Sequence, residues 1–339
     1  MRDLIGRDVP RDLKFVLQSS PALIPRSENG DFQRPGAQFR DVISPDPDGK
    51  FPAESGRYHL YVSYACPWAH RTLIVRKLKG LENIVGVTVV HPHMSLVESW
   101  RFYNSEDGAA EEGCVPDPLH PGVKRLKELY LKADPEYSGR FSVPVLWDKT
   151  NGTIVSNESS EIIRMLNSAF NYLLPPEKQK IDLYPPRLQL QIDSVNLQIY
   201  ENINNGVYKC GLAKGQQAYD RAIEDLFTQL DAVESHLQVK HDEGPFYFGR
   251  LLTETDIRLF VTVIRFDIVY YNLFKTNRKM IRLDYPNIHR WMQNLYWNIS
   301  EFRLTTNVGH IKQHYFSLTI LNPWAIVPDG PLPEVVPIS

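Results

Sequence analysis

"YHLYVSYACPWAHRTLIVRKLKGL", residues 58–81, joins two elements at a single cysteine. Residues 58–65 are rich in aromatic and β-branched side chains and partly alternate, which predicts a strand. From Pro67 the run reads as a helix that ends near Gly80, a residue type suited to a helix C-terminus. Cys66 then stands at the helix N-cap and Pro67 at the first helical position, where the N–H that proline lacks would be unpaired anyway. A thiol there meets free amide donors and the positive end of the helix dipole, which favour the reactive thiolate. His70 and Arg71, in the first turn, are expected to add positive potential. The Cys66 pKa is therefore expected below the ~8.5 of a free thiol. Three positions on stands Ala69 rather than a second cysteine. A mixed disulfide on Cys66 must accordingly be resolved by an external thiol.

The elements outward from this junction set the fold class. "IVGVTVVHP" (84–92) reads as a buried strand. Residues 91–139 break pattern and read as an insertion, with a short helix at "VKRLKELYLKA". "SVPVLWDKTNGTIVS" (142–156) reads as a hairpin turning at Asn151-Gly152, and "NESSEIIRMLNSAF" as a helix. Beyond a Pro-rich stretch the pattern turns helical. Leu188, Ile192, Val195 and Ile199 share one face, as do Ile223, Leu226, Leu230, Val233 and Leu237. Thr253 and Asp256 form a capping box, with Leu252 and Ile257 as its staple. The expected organisation is an N-terminal extension (1–55), an α/β domain (56–170), a linker (171–186), an all-helical domain (187–318) and a tail outside the bundle (319–339).

Composition narrows the function. A chain of 339 residues suggests two domains, since single cores stop growing near ~250–300 residues. The net charge of −2 gives no reason to expect a nucleic-acid partner. No run is apolar enough to predict a membrane helix, and the N-terminus lacks the apolar core of a secretory signal. The three cysteines, Cys66, Cys114 and Cys210, are odd in number and far apart, which points to a reducing, cytoplasmic compartment. Cys114 and Cys210 lie at no strand–helix junction and read as structural or incidental. No G-x-G-x-x-G, P-loop or metal-ligand spacing is present, so no metal, flavin or nucleotide is implied.

An external thiol needs a binding site. Pro144 interrupts an apolar strand; a cis bond after Val143 would expose a backbone edge beside Cys66 on which a peptide-like ligand could pair. Glu158 and Ser159 open a helix. Its amides and the Ser159 hydroxyl suit a carboxylate, and Glu158 suits an ammonium group, although these residues taken alone read first as a plain helix cap.

A β-α-β then β-β-α order, the cis-proline candidate and an all-helical second half together resemble the glutathione transferase superfamily. "SYACPWAHRTLIVRKLKGLE", "NNGVYKCGLAKGQQAY" and "HYFSLTILNPWAIVPDGP" are similar to the glutathionyl-hydroquinone reductases, its Xi class. The resemblance implies a thioredoxin-like domain followed by a helical bundle, with glutathione as co-substrate and glutathionylated hydroquinones as partners. It makes Cys66 catalytic, matches Trp100, Arg140, Val143, Glu158 and Ser159 to glutathione-binding positions, and matches Tyr208 and Tyr315 to tyrosines lining the hydroquinone pocket. Where the family usually has glycine ahead of Trp100, this chain has Ser99. The resemblance further implies a homodimer formed through the helical domain. Two other readings share the cysteine: an Omega-like thioltransferase or dehydroascorbate reductase, and a non-catalytic binder of glutathione or phenolic ligands.

Overall fold

The structure is a computed structural model that describes residues 24–95, 98–104 and 111–338. Parts of the expected N-terminal extension (1–23) and insertion (96–97 and 105–110), and the last residue of the tail, lie outside the described residues.

Strand β1 (Tyr58–Val62), helix α1 (Pro67–Leu78) and strand β2 (Gly86–Val89) form the expected β-α-β unit, β2 running parallel to β1. A small hairpin of β3 (Met94–Ser95) and β4 (Ser99–Trp100) follows, then α2 (Leu126–Ala133). Strands β5 (Val145–Asp148) and β6 (Thr153–Ser156) add antiparallel, and α3 (Ser159–Ser168) closes the layer. The sheet order is β2-β1-β5-β6. All five residues of β1 are buried. Helices cover one face and the insertion the other, where Tyr61 donates its hydroxyl to Asp117 Oδ1 at 3.0 Å. That double burial is why the strand alternates only partly.

The second half is helical: α4 (Gln189–Gln198), α5 (Gly206–Leu212), α6 (Gln216–Val239), α7 (Glu254–Arg265), α8 (Pro286–Asn298), α9 (Ser300–Leu304) and α10 (Val308–Phe316). All five apolar residues expected on one face of α6 are buried. The capping box is present, Thr253 N donating to Asp256 Oδ2 at 3.0 Å. Asp256 also accepts from Trp291 Nε1 at 3.0 Å and from Tyr247 N at 2.8 Å. Its buried carboxylate is thus satisfied, and it ties α7 to α8.

Two helices widen into π turns, α4 into Ile199–Asn204 and α7 into Phe266–Tyr270. Such turns re-aim side chains and recur at functional sites. The N-terminal segment runs beside β6, with Asp41 N on Val155 O at 3.0 Å and Asn157 N on Phe39 O at 3.1 Å, and so covers an otherwise open sheet edge. The C-terminal tail packs against the bundle without adding a helix to it. Its donor-poor, proline-rich backbone offers carbonyls, and Gln293 Nε2 and Trp297 Nε1 both donate to Val336 O, at 2.9 and 3.0 Å.

Candidate active site

Cys66 sits at the N-cap of α1, in extended backbone conformation, with Pro67 at the first helical position. Its Sγ lies 3.5 Å from Val143 O, and the Val143–Pro144 peptide bond is cis. The proline does not interrupt the strand, because β5 begins only at Val145.

The thiol's surroundings correct the expected pKa. Cys66 is buried, and burial pushes the thiol up from its ordinary value. The backbone amides of Ala69 and Trp68 oppose the rise, followed by the charges of Arg265 and Arg34. The helix N-terminus acts as expected, but desolvation outweighs it. The expected sources of positive potential are also corrected. His70 is buried, and burial holds its pKa well below the ordinary value, so it is neutral. Its Nδ1 accepts from Arg265 Nη1 at 3.1 Å, which leaves the ring proton on Nε2, facing Thr305 Oγ1 at 3.1 Å. Arg71 turns away toward Asn204 Oδ1 (2.6 Å) and Ser159 Oγ (3.4 Å), and burial lowers its pKa to about 9.

The cation behind the cysteine is Arg265. It is fully buried at the end of α7 and donates Nε to Ala65 O at 3.0 Å and Nη2 to Tyr64 O at 2.9 Å. Its fork therefore grips the two carbonyls immediately before Cys66. The sequence carries only a faint sign of this, an arginine placed among Val261, Val263, Ile264 and Phe266.

The two expected tyrosines meet. Tyr208 Oη lies 2.6 Å from Tyr315 Oη. A third phenol, missed in the sequence, joins them: Tyr270 Oη is 3.1 Å from Tyr315 Oη, carried there by the π turn after α7. Burial raises the pKa of all three, so the cluster is made of neutral O–H groups. The charge of Cys66 contributes to the rise at Tyr208, which places the phenol within electrostatic reach of the thiol.

Of the other expected residues, Val143 and Arg140 are tied to the same thiol, and Glu158, Ser159 and Trp100 have other partners. Val143 supplies the carbonyl on Cys66. Arg140 is charge-coupled to both Cys66 and Tyr208, with burial lowering its pKa. Glu158 caps α3, its Oε1 accepting from Ser160 N at 3.0 Å and Ser160 Oγ at 2.8 Å. Ser159 is buried, with its hydroxyl on Arg71. Trp100 is buried and stacks on His314, ring centroids 4.8 Å apart. His314 precedes Tyr315 on α10, so Trp100 supports the helix that carries Tyr315. Ser99 has φ 68°, a left-handed conformation in which glycine is unstrained. Cys114 and Cys210 are buried, and burial pushes each thiol up to about 12. Among the described residues, no group of three or more His, Cys, Asp or Glu could hold a metal ion, and no helix is long and apolar enough to cross a membrane.

Comparison with known proteins places this arrangement. Family models match at residues 65–169, described as glutathione S-transferase, N-terminal domain, and at 216–294, described as glutathione S-transferase, C-terminal domain. The crystal structure of the glutathione-S-transferase Xi from Phanerochaete chrysosporium is 53% identical, covers 93% of this chain and 97% of that one, and superposes with a TM-score of 0.87. Glutathionyl-hydroquinone reductase YqjG of Escherichia coli is 46% identical over 90% of each chain. The glutathione-bound structure of YqjG, also 46% identical, covers 88% of this chain and 95% of that one, with a TM-score of 0.80. Glutathione S-transferase omega-like 2 of Schizosaccharomyces pombe is 49% identical, over 91% of this chain and 96% of the relative.

Proposed function

The chain belongs to the glutathione transferase family, and from that premise we propose that it reduces glutathionyl-hydroquinones to hydroquinones at the expense of glutathione. The observation that carries the reading is the joining of Tyr208, Tyr270 and Tyr315 into one hydrogen-bonded cluster within electrostatic reach of Cys66. Disulfide exchange on an ordinary glutathionylated thiol has no use for such a cluster, because its leaving group is already a stabilised thiolate.

The substrate carries an aryl carbon–sulfur bond, and direct thiolate attack would expel an aryl carbanion. Tautomerisation of the hydroquinone to a ketone places that carbon next to a carbonyl. Cys66 thiolate then attacks the glutathione sulfur. A sulfur–sulfur bond forms, the carbon–sulfur bond breaks, and its electron pair leaves as an enolate. The phenol cluster donates hydrogen bonds to the developing oxyanion, which is the phenolate of the now aromatic hydroquinone and takes its proton from solvent. Burial keeps these phenols protonated at neutral pH, as a donor requires. A second glutathione thiolate opens the Cys66–glutathione disulfide, releasing glutathione disulfide and the Cys66 thiolate. Attack requires that thiolate, and the amides of Trp68 and Ala69 with Arg265 and Arg34 are the groups that favour it against burial.

In this reading Val143 offers its backbone to the glutathione peptide. Glu158, Ser159 and Arg140 take the charged ends of glutathione, and Trp100 closes that side. A homodimer belongs to the same reading; Leu190 and Leu197, exposed two turns apart on α4, support a helical-domain interface. The name of the Schizosaccharomyces pombe relative favours one alternative, an Omega-like thioltransferase. The deciding experiment runs glutathionyl-menadiol, a glutathionylated peptide and dehydroascorbate in parallel. Turnover of the first well above the others supports the proposal, and the reverse order supports the thioltransferase.

A further inference from the structure

The N-terminal segment crosses from the sheet edge to the helical domain and passes the site on the way. Lys214 N donates to Gly30 O at 3.0 Å, Arg26 Nε to Leu212 O at 3.0 Å, and Arg221 pairs with Asp31 at 2.8 Å. The docking is built in at Gly30. Its φ is 83°, and a Cβ there would stand 2.2 Å from Lys214 O, so any other residue would lift the arm.

Between these anchors and the pairing beside β6, the arm presents Arg34. Its guanidinium carbon lies 4.6 Å from the Trp68 ring centroid and 4.8 Å from that of Tyr208. Its Nε donates to Asn205 Oδ1 at 2.8 Å. These two rings, the Phe32 ring at 5.6 Å and one amide therefore fix the guanidinium. Its two Nη groups have no hydrogen-bond partner among the described residues. Neither Arg34 nor Arg140 pairs with a carboxylate there, although each is charge-coupled to Cys66. Two guanidinium groups thus stand uncompensated beside one thiol and one phenol. A held cation with free paired donors favours a planar anion.

We propose that Arg34 forms an anion subsite at the hydroquinone end of the pocket, taking a carboxylate or sulfonate borne by the aromatic ring, so that conjugates of anionic quinones are preferred to neutral ones. This rests on the function proposed above. There Arg140 serves glutathione, which leaves Arg34, on the ring of Tyr208, to face the aromatic part of the substrate.

The test measures binding in the Cys66→Ser background by calorimetry. The two probes are the glutathionyl conjugates of hydroquinone and of 2,5-dihydroxybenzoate, kept reduced with ascorbate. A charge-assisted bond at a partly solvated site favours the carboxylated probe by about tenfold in Kd at low salt. Arg34→Gln brings that ratio close to one, and Arg34→Lys, which keeps the charge and guards against a merely displaced arm, retains part of it. Equal Kd values for both probes without the Arg34 substitution, or a preference that survives Arg34→Gln, overturn the proposal. Failure of the broader functional reading would show separately, as absence of turnover of both probes by the native chain, while the binding ratio would still report on Arg34.

Discussion

Replacing Arg265 tests the link between the two halves of the fold and the reactive thiol. The side chain sits at the end of α7 and donates once to its own helix, at Val261 O, yet its other bonds go to Ala65 O, Tyr64 O and His70 Nδ1 on the cysteine side. Arg265→Leu leaves those three acceptors without that donor in a buried site. An orphaned buried acceptor costs about 1–3 kcal/mol, and partial relaxation holds the sum near ~3–5 kcal/mol. For a chain of this size each kcal/mol lowers Tm by roughly 1.4 °C, so a fall of roughly 4–7 °C is expected. Arg265→Lys keeps the charge but not the fork, and falls between. The chemical readout is independent of the thermal one. Iodoacetamide alkylation of the native Cys66 is expected to show its inflection above the ordinary thiol value, because burial dominates. Arg265 opposes that rise, so Arg265→Leu moves the inflection higher still and Arg265→Lys moves it less. A leucine variant as stable as the parent, with an unmoved alkylation profile, would mean that Arg265 neither braces the cysteine loop nor acts on the thiol. A native inflection below the ordinary value would refute the dominance of burial.

Tyr208→Phe with Tyr315→Phe should lower glutathionyl-hydroquinone turnover by up to ~10²–10³, the strongest effect seen for lost oxyanion donors, and leave exchange on a glutathionylated peptide nearly intact; a matched fall in both activities would mark the tyrosines as structural. His59 and His314 are both buried, and burial holds each near a pKa of about 4, against an ordinary 6.5. The folded state thus binds fewer protons than the unfolded one. This stability is complete above pH 6.5 and is lost as pH falls toward 4, at roughly 3 kcal/mol per histidine. Urea midpoints between pH 7 and 4.5 should show the loss, and His59→Gln should flatten it; an unchanged slope would contradict the assignment. Ser99→Gly relieves about 1 kcal/mol of left-handed strain, and loses a similar amount with the 2.8 Å bond from Ser99 Oγ to Phe141 O and with the entropy of glycine. Its melting temperature should stay within about 2 °C of the parent, whereas Ser99→Val should fall by more.

The local features were legible because their causes are local. The Cys66–Pro67 junction, the Thr253–Asp256 box and the β5–β6 hairpin each rest on residues a few positions apart. So did the cis bond at Val143, signalled by a proline where an apolar strand was expected. Arg265, Arg34 and Tyr270 were not legible as site residues. Arg265 reaches the cysteine loop across 200 positions of sequence, and Tyr270 turns inward only because α7 ends in a π turn. The sign of the Cys66 shift was misread for a related reason. The helix N-terminus is visible in the sequence, but desolvation depends on everything that packs around the thiol, including helices from the other half of the chain.

In the proposed reaction Cys66 removes glutathione from an aromatic carbon and keeps it as a disulfide. A single-turnover experiment tests this directly, mixing enzyme with glutathionyl-menadiol in the absence of free glutathione and following both products by mass spectrometry. One menadiol should be released per enzyme, with one glutathione retained on Cys66 and discharged as glutathione disulfide when free glutathione is added; Cys66→Ser should release none. Menadiol released without an adduct on Cys66, or released by the serine variant at a comparable rate, would contradict that reaction.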